Sequence, residues 1–218
     1  MVCLRQLAQR CSAKRGADRR DTRHALPEKR LISLLTATLL AVLPTQISAQ
    51  SAPERTISVF GGVMTDQVWE DIFLNPVGLT FRDARIVGVA ATWMWDAPVT
   101  RLSWGFEVQA AKWFGRQTNL EANLLGVLRY TPAQQIGPIR SLAFGIGPSL
   151  ASEIPAEEFA RNGTGRRGLV YWMGEVEFGR SESNLRGFAR IHHRSNAYGL
   201  LGAQTGSNSL VVGMRRAF

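Results

Sequence analysis

Two side chains near the C-terminus have the types and the spacing that nucleophilic catalysis requires. His193 and Ser195 are separated by one residue in the segment His193-Arg194-Ser195-Asn196. Residues two apart in a β-strand project to the same face, so the imidazole can lie beside the hydroxyl. A base next to a hydroxyl is the arrangement that activates serine as a nucleophile. The pair therefore predicts acyl transfer to Ser195 with His193 as the general base.

The surrounding residues resemble the signature of a known enzyme family. The segment 190–199, which contains His193, Ser195 and Asn196, is similar to the H-x-S-N-A-G motif of the PagL-type lipid A 3-O-deacylases, and Gly206-Ser207-Asn208-Ser209-Leu210 follows it. The resemblance covers only the end of the chain. It implies an outer-membrane carboxylic ester hydrolase that removes the acyl chain at position 3 of lipid A in lipopolysaccharide.

The resemblance also implies further site residues. The asparagine after the serine is assigned to the oxyanion hole in the family and matches Asn196, while Gly199 and its neighbours supply backbone amides. Tyr198 is an additional residue relative to the S-N-A-G spacing. The family's glutamate position falls on Asn208, an amide that can still orient an imidazole. We therefore expect catalysis by His193, Ser195 and Asn208, and an Asn208→Glu variant that retains or exceeds the parent rate.

The charge of the chain is concentrated in its first residues. Residues 1–30 hold nine Lys and Arg against three acids, and residues 31–50 hold no charge, so the remainder carries +3 of the formal net charge of +9. This distribution argues against a nucleic-acid partner. The apolar run 31–43 after Lys29-Arg30 predicts a secretory signal, and we place its cleavage after Ala49. We interpret residues 1–30 as the result of a start codon that was assigned too far upstream.

Residues 50–218 have the pattern of a transmembrane β-barrel. Apolar residues alternate with polar ones in eight blocks, as in Val87, Val89 and Ala91 against Thr92, and strands of this kind span a bilayer when tilted. The sequence thus predicts an all-β, eight-stranded antiparallel barrel whose interior is filled by side chains. Within it, Pro148 requires a bulge or a strand end.

Connection lengths predict how the barrel is oriented. The segments 96–100, 131–138 and 179–184 are shorter than 65–84, 152–168 and 196–206, and 115–118 is the one short member of the second set. Outer-membrane barrels have short periplasmic turns and longer outer loops. We therefore expect periplasmic termini, with His193 and Ser195 at the outer leaflet. If the last hairpin pairs Ser195 with Asn208, the amide lies beside or diagonal to His193.

The remaining chemistry-bearing residues are predicted to be structural. Glu175 and Glu177 face the interior, where Arg186 and Arg190 pair with them, and His192 faces inward as a hydrogen-bonding group. Both cysteines, Cys3 and Cys11, lie in the leader, so the remainder has no thiol chemistry and no disulfide. With only three histidines in the chain, one of them in the leader, we expect no metal site and no cofactor.

Two functions remain open from the sequence. The first is the deacylase, with lipid A as substrate and outer-membrane lipid as its surroundings. The second is a non-enzymatic small barrel of the adhesin or membrane-stabilising type, or an inactive family member, in which the pair of His193 and Ser195 is incidental. The sequence also leaves open whether the chain forms a homodimer.

Overall fold

Alternation of polar and apolar residues is realised as a closed antiparallel barrel of eight strands. The computed structural model describes residues 52–180, 182–202 and 204–218, so the predicted signal peptide (1–49) lies outside the described residues. The strands are β1 (Glu54–Thr65), β2 (Phe81–Asp96), β3 (Leu102–Gly115), β4 (Leu120–Tyr130), β5 (Ile139–Ala151), β6 (Gly168–Phe178), β7 (Leu185–Ser195) and β8 (Gly206–Ala217). Each strand pairs with the next, and β8 pairs with β1. The predicted fold class is confirmed.

The two faces of the strands differ in polarity as the sequence predicts. Val87 and Val89 on β2 point outward and are 57% and 52% exposed, whereas Thr92 on the same strand is buried. Glu107 and Gln109 on β3 are buried inside the barrel. An apolar outer surface around a polar interior is the arrangement of transmembrane barrels.

The connections divide the barrel into two ends. One end, here called the loop end, holds the connections 66–80, 116–119, 152–167 and 196–205. The other end, here called the turn end, holds the turns 97–101, 131–138 and 179–184. The loop end carries two short helices, α1 (Trp69–Leu74) and α2 (Ala156–Asn162), and a 3-10 turn (Pro76–Gly78), where the sequence indicated no sustained helix. β2 begins at Phe81, inside the segment predicted as loop. In the described ranges, no helix combines the length and the apolar character needed to cross a membrane.

Pro148 lies inside β5 rather than at a bulge or a strand end, which corrects the sequence prediction. It pairs with Val170 of β6, and β5 continues to Ala151. The ladder to β4 has no rungs at Gly147 and Pro148 but resumes in the same register at Ser149. Because proline lacks an N–H donor, the ladder opens locally on one side while the strand continues.

Ion pairs fill the interior at the turn end and the middle of the barrel. Glu175 contacts Arg129 at 2.8 Å, Arg190 at 2.5 Å and Arg215 at 2.8 Å. Glu177 contacts Arg215 at 2.7 Å, and it lies 3.7 Å from Arg186. The predicted pairing of Glu175 and Glu177 with arginines inside the barrel is therefore observed.

Candidate active site

The last outward positions of β7 hold His193 and Ser195 at the loop end. They share a face and lie about 6.7 Å apart along the strand. Within the described structure their side chains are not hydrogen-bonded to each other: the Ser195 Oγ accepts a hydrogen bond from the Ala197 N–H at 3.4 Å. A rotation of the Ser195 side chain is therefore needed for contact with the imidazole, and such contacts often tighten only when substrate binds.

Asn208 lies directly opposite His193 in the β7–β8 ladder. The His193 Nδ1 and the Asn208 Oδ1 are 2.5 Å apart, and the Asn208 Nδ2 donates to the Gln67 backbone carbonyl at 2.9 Å. Because that carbonyl can only accept, the amide nitrogen faces Gln67 and the amide oxygen faces the ring. The His193 Nδ1 therefore carries the proton, which leaves Nε2 unprotonated and able to act as a base.

The register between β7 and β8 corrects the predicted pairing of Ser195 with Asn208. Ser195 pairs with Gly206, not with Asn208, and the Asn208 rung belongs to His193. The shift is two residues, and a shift of two keeps every side chain on its predicted face. Asn208 consequently still points to the same side as His193, and the contact is direct rather than diagonal.

Aromatic side chains cover one side of the imidazole. Trp172 on β6 is the cross-strand partner of His193, and the two rings lie 4.7 Å apart between centroids. Trp69 of α1 meets Trp172 edge-on at 5.5 Å, and Phe144 stacks on it at 6.0 Å. This wall was not predicted from the sequence: symmetric counting back from the turn 179–184 pairs Trp172 with Ile191, whereas the observed register pairs it with His193. The imidazole is thus bordered by apolar surface on one strand and by an amide on the other.

The turn after Ser195 has an unusual backbone. Ala197, Tyr198 and Gly199 all have positive φ angles of 51°, 55° and 96°. Such angles are costly for residues with a side chain, and they cluster at functional sites. Asn196 is buried and its Nδ2 donates to the Gly202 carbonyl at 2.9 Å, so this side-chain amide stabilises the turn. The Ala197 N–H is the donor that points at the Ser195 Oγ, whereas the oxyanion roles of Asn196 and Gly199 stay predictions.

The inner side of the same strand carries a separate polar cluster. His192 points inward, as predicted, and its Nε2 lies 2.9 Å from the Glu121 Oε1. The Trp113 indole N–H donates to the other oxygen of Glu121 at 2.9 Å. Arg194 also points inward and reaches Glu158 of α2 at 2.6 Å. Successive residues of β7 thus point to opposite sides of the barrel wall, His193 outward and His192 and Arg194 inward.

The residues that the structure describes include no group of three or more His, Cys, Asp and Glu side chains placed to hold a metal ion. The groups that the site presents are a base, a hydroxyl and backbone hydrogen-bond donors.

The fold has relatives among solved structures. The outer membrane enzyme PagL superposes with a TM-score of 0.56 at 17% identity, over 75% of this chain and 99% of PagL. Neisserial surface protein A, NspA, gives a TM-score of 0.41 at 10% identity, over 76% of this chain and 96% of its own. The outer membrane protein OprG from Pseudomonas aeruginosa gives 0.35 at 11% identity, over 78% and 97%.

Sequence comparisons add no relative. No protein-family model matches the chain, and no curated protein sequence matches it. The likeness to PagL, at its low identity, shows the fold alone. The chain has the fold of the small eight-stranded barrels of the bacterial outer membrane.

Proposed function

We propose that the chain is an outer-membrane esterase that removes the ester-linked acyl chain at position 3 of lipid A. The observation that carries the proposal is the orientation of His193. The Asn208 Oδ1 accepts a hydrogen bond from the His193 Nδ1–H while the Gln67 carbonyl fixes the amide, so the basic Nε2 belongs to a ring on the outward face that also bears Ser195. The choice of lipid A and of position 3 comes from the resemblance of this segment to the PagL-type motif.

The reaction follows from these groups. The Ser195 Oγ attacks the ester carbonyl carbon and gives its proton to the His193 Nε2. The resulting oxyanion is stabilised by backbone N–H groups of the turn that begins at Ala197. When the C–O bond breaks, His193 returns the proton to the departing sugar oxygen, and an acyl group remains on Ser195. Water, deprotonated by His193, then attacks this ester; His193 gives the proton to the departing Ser195 Oγ, and the fatty acid is released.

Exposed apolar side chains support a site at the membrane surface. Tyr198, Leu200, Leu74 and Val77 project from the loop end, each more than 80% exposed. Together with Trp172 beside His193 on the outer wall, they offer apolar surface to acyl chains at the loop end. In this proposal the loop end faces the outer leaflet, because the longer loops of such barrels are external.

One observation favours the non-enzymatic alternative. The Ser195 Oγ is hydrogen-bonded to its own turn rather than to His193, as an ordinary rim serine would be. In that case the barrel serves adhesion or membrane stabilisation, and the polar pair only lines the headgroup region.

Mass spectrometry of lipid A separates the two functions. Cells that express the parent chain should yield lipid A lighter by one hydroxyacyl group, and cells that express Ser195→Ala should yield unmodified lipid A. Equal spectra from both, with both barrels present in the outer membrane, would contradict the esterase.

A further inference from the structure

One side chain of a loop helix enters the barrel behind the site. Glu158 lies in α2, yet it is 1% exposed. Its Oε1 accepts hydrogen bonds from the Arg194 Nη1 at 2.6 Å and from the Ser207 Oγ at 2.9 Å. Its Oε2 is buried and has no hydrogen-bond partner among the described residues. A carboxylate from outside the strands therefore binds two inward side chains of the hairpin that bears the site.

These two side chains form one rung of the β7–β8 ladder. Arg194 and Ser207 are directly opposite each other, between the rung of His193 with Asn208 and the rung of Ser195 with Gly206. Successive residues of a strand point to opposite faces of one backbone. A contact that holds the inward rung therefore also restrains the backbone from which the side chains of the two neighbouring rungs project.

Arg194 is itself held on several sides, so the contact with Glu158 is not a loose surface pair. Its Nε donates to the Ser149 Oγ at 2.9 Å and its Nη2 to the Arg167 carbonyl at 3.1 Å. The guanidinium is fully buried, and Glu121 lies 3.8 Å from its Nε. Removing the Glu158 carboxylate would leave a buried charge short of a partner, which forces the end of β7 to rearrange.

We infer that Glu158 is a positioning residue for the candidate active site. Its carboxylate holds the Arg194–Ser207 rung from inside the barrel and thereby restrains the backbone that orients the side chains of His193 and Ser195. The expected effect on rate rests on the proposed function, whereas the effect on the geometry of His193 does not. A displacement of about 1 Å between reacting groups can lower a rate by a factor of about 100.

The neighbouring residue provides a matched control. Glu157 lies in the same helix and is 2% exposed. It contacts Arg82 at 2.5 Å and Arg116 at 3.0 Å, and neither arginine belongs to β7 or β8. Glu157→Ala thus removes a buried carboxylate from α2 without touching the hairpin of the site.

The test uses the full barrel in detergent micelles with ¹⁵N-labelled histidine. The ring nitrogen signals report which nitrogen of His193 carries the proton, and His193→Ala assigns them. For Glu158→Ala we expect altered His193 ring signals and a kcat on lipid A lower by about 10- to 100-fold, with KM within about twofold. Glu158→Gln keeps the volume and one acceptor oxygen, so it should restore part of both. Glu157→Ala should leave the His193 signals unchanged.

Several results would overturn the inference. The inference is wrong if Glu158→Ala retains the His193 signals of the parent. It is also wrong if Glu157→Ala changes those signals as much as Glu158→Ala does. If Glu158→Ala fails to fold, Glu158→Leu takes its place, because it keeps most of the volume without an acceptor oxygen, and parent-like signals and kcat in that variant refute the positioning role. If the parent has no deacylase activity, the proposed function fails, and the His193 signals alone decide the role of Glu158.

Discussion

The two halves of the barrel interior are built differently. Towards the turn end, each oxygen of Glu175 has arginine partners, and the guanidinium groups of Arg190 and Arg215 bridge several carboxylates. Towards the loop end, buried polar atoms of Gln117, Asn119, and Glu158 lack hydrogen-bond partners among the described residues. Buried polar networks whose members are satisfied make a fold rigid, and unpaired buried polar groups are costly.

The contrast indicates that the two halves of the barrel interior have different roles. The ion-paired half provides stability, and the half beside His193 carries the candidate active site. Substitutions at the turn end should then reduce stability first, and substitutions at the loop end should reduce activity first.

The largest effect is expected at the site itself. Ser195→Ala and His193→Ala should each lower deacylation by a factor of roughly 10⁴–10⁶, and the double variant should be no worse than either, because such residues act as a unit. Activity on lipid A in micelles measures the loss, and circular dichroism checks the barrel. His192→Ala, which changes an inward residue, should retain most activity. Equal losses at His192 and His193 would contradict the face assignment.

At the turn end, Glu175→Ala should destabilise the barrel strongly. It leaves the guanidinium groups of Arg129, Arg190 and Arg215 without their shared carboxylate, and breaking a buried pair costs about 3–5 kcal/mol. Urea unfolding followed by tryptophan fluorescence measures the change. The matched control is Glu182→Ala, since Glu182 is exposed in a turn. A similar midpoint for both variants would contradict a stabilising role for the turn-end network.

A smaller effect is expected for the third site residue. Asn208→Ala should lower kcat by about 10-fold or more, because the imidazole loses the acceptor that selects its tautomer. Asn208→Glu brings a charge that favours imidazolium but loses the donor to the Gln67 carbonyl. We therefore now expect Asn208→Glu to be no faster than the parent. A faster glutamate variant would show that the bond to Gln67 is dispensable.

The smallest effect concerns pH at the loop end. Burial raises the pKa of the Glu158 carboxyl above its ordinary value of 4.5. An acid with a higher pKa in the folded state stabilises the fold more as the pH falls, and this contribution is lost as the pH rises through the raised value. Lowering the pH from neutral towards 4.5 should therefore stabilise the parent relative to Glu158→Gln in urea unfolding. The opposite trend would contradict this sign.

The strands and their faces could be predicted from the sequence because a lipid-facing barrel imposes a two-residue period. The outward column of β7, which ends in His193 and Ser195, was identified in this way. The sequence did not define the register between strands, so the rung of Asn208 was displaced by two residues. A register depends on the geometry of the connecting turn, here 196–205, which alternation does not encode.

The loop helices were missed for a different reason. α2 has seven residues, too few for a helical periodicity to be visible. Its composition did contain signals: Glu157 and Glu158 in the first turn, Arg161 in the last, and Gly163 after it with a φ angle of 67°. No local pattern could predict that the Glu158 side chain lies inside the barrel, because its contacts with Arg194 and Ser207 form only in the closed barrel.

Asn208 lies on two ladders at once, since it pairs with His193 on β7 and with Thr65 at the end of β1. The hairpin of β7 and β8 is local in sequence and can form early, whereas the pairing of β8 with β1 joins residues at opposite ends of the barrel segment and must wait for the whole chain. Gln67, two residues beyond Thr65, reaches the Asn208 amide only after that final pairing. We therefore expect the orientation of the base to be completed only when the β1–β8 seam closes, and a barrel still open at that seam to hold His193 without its fixed tautomer.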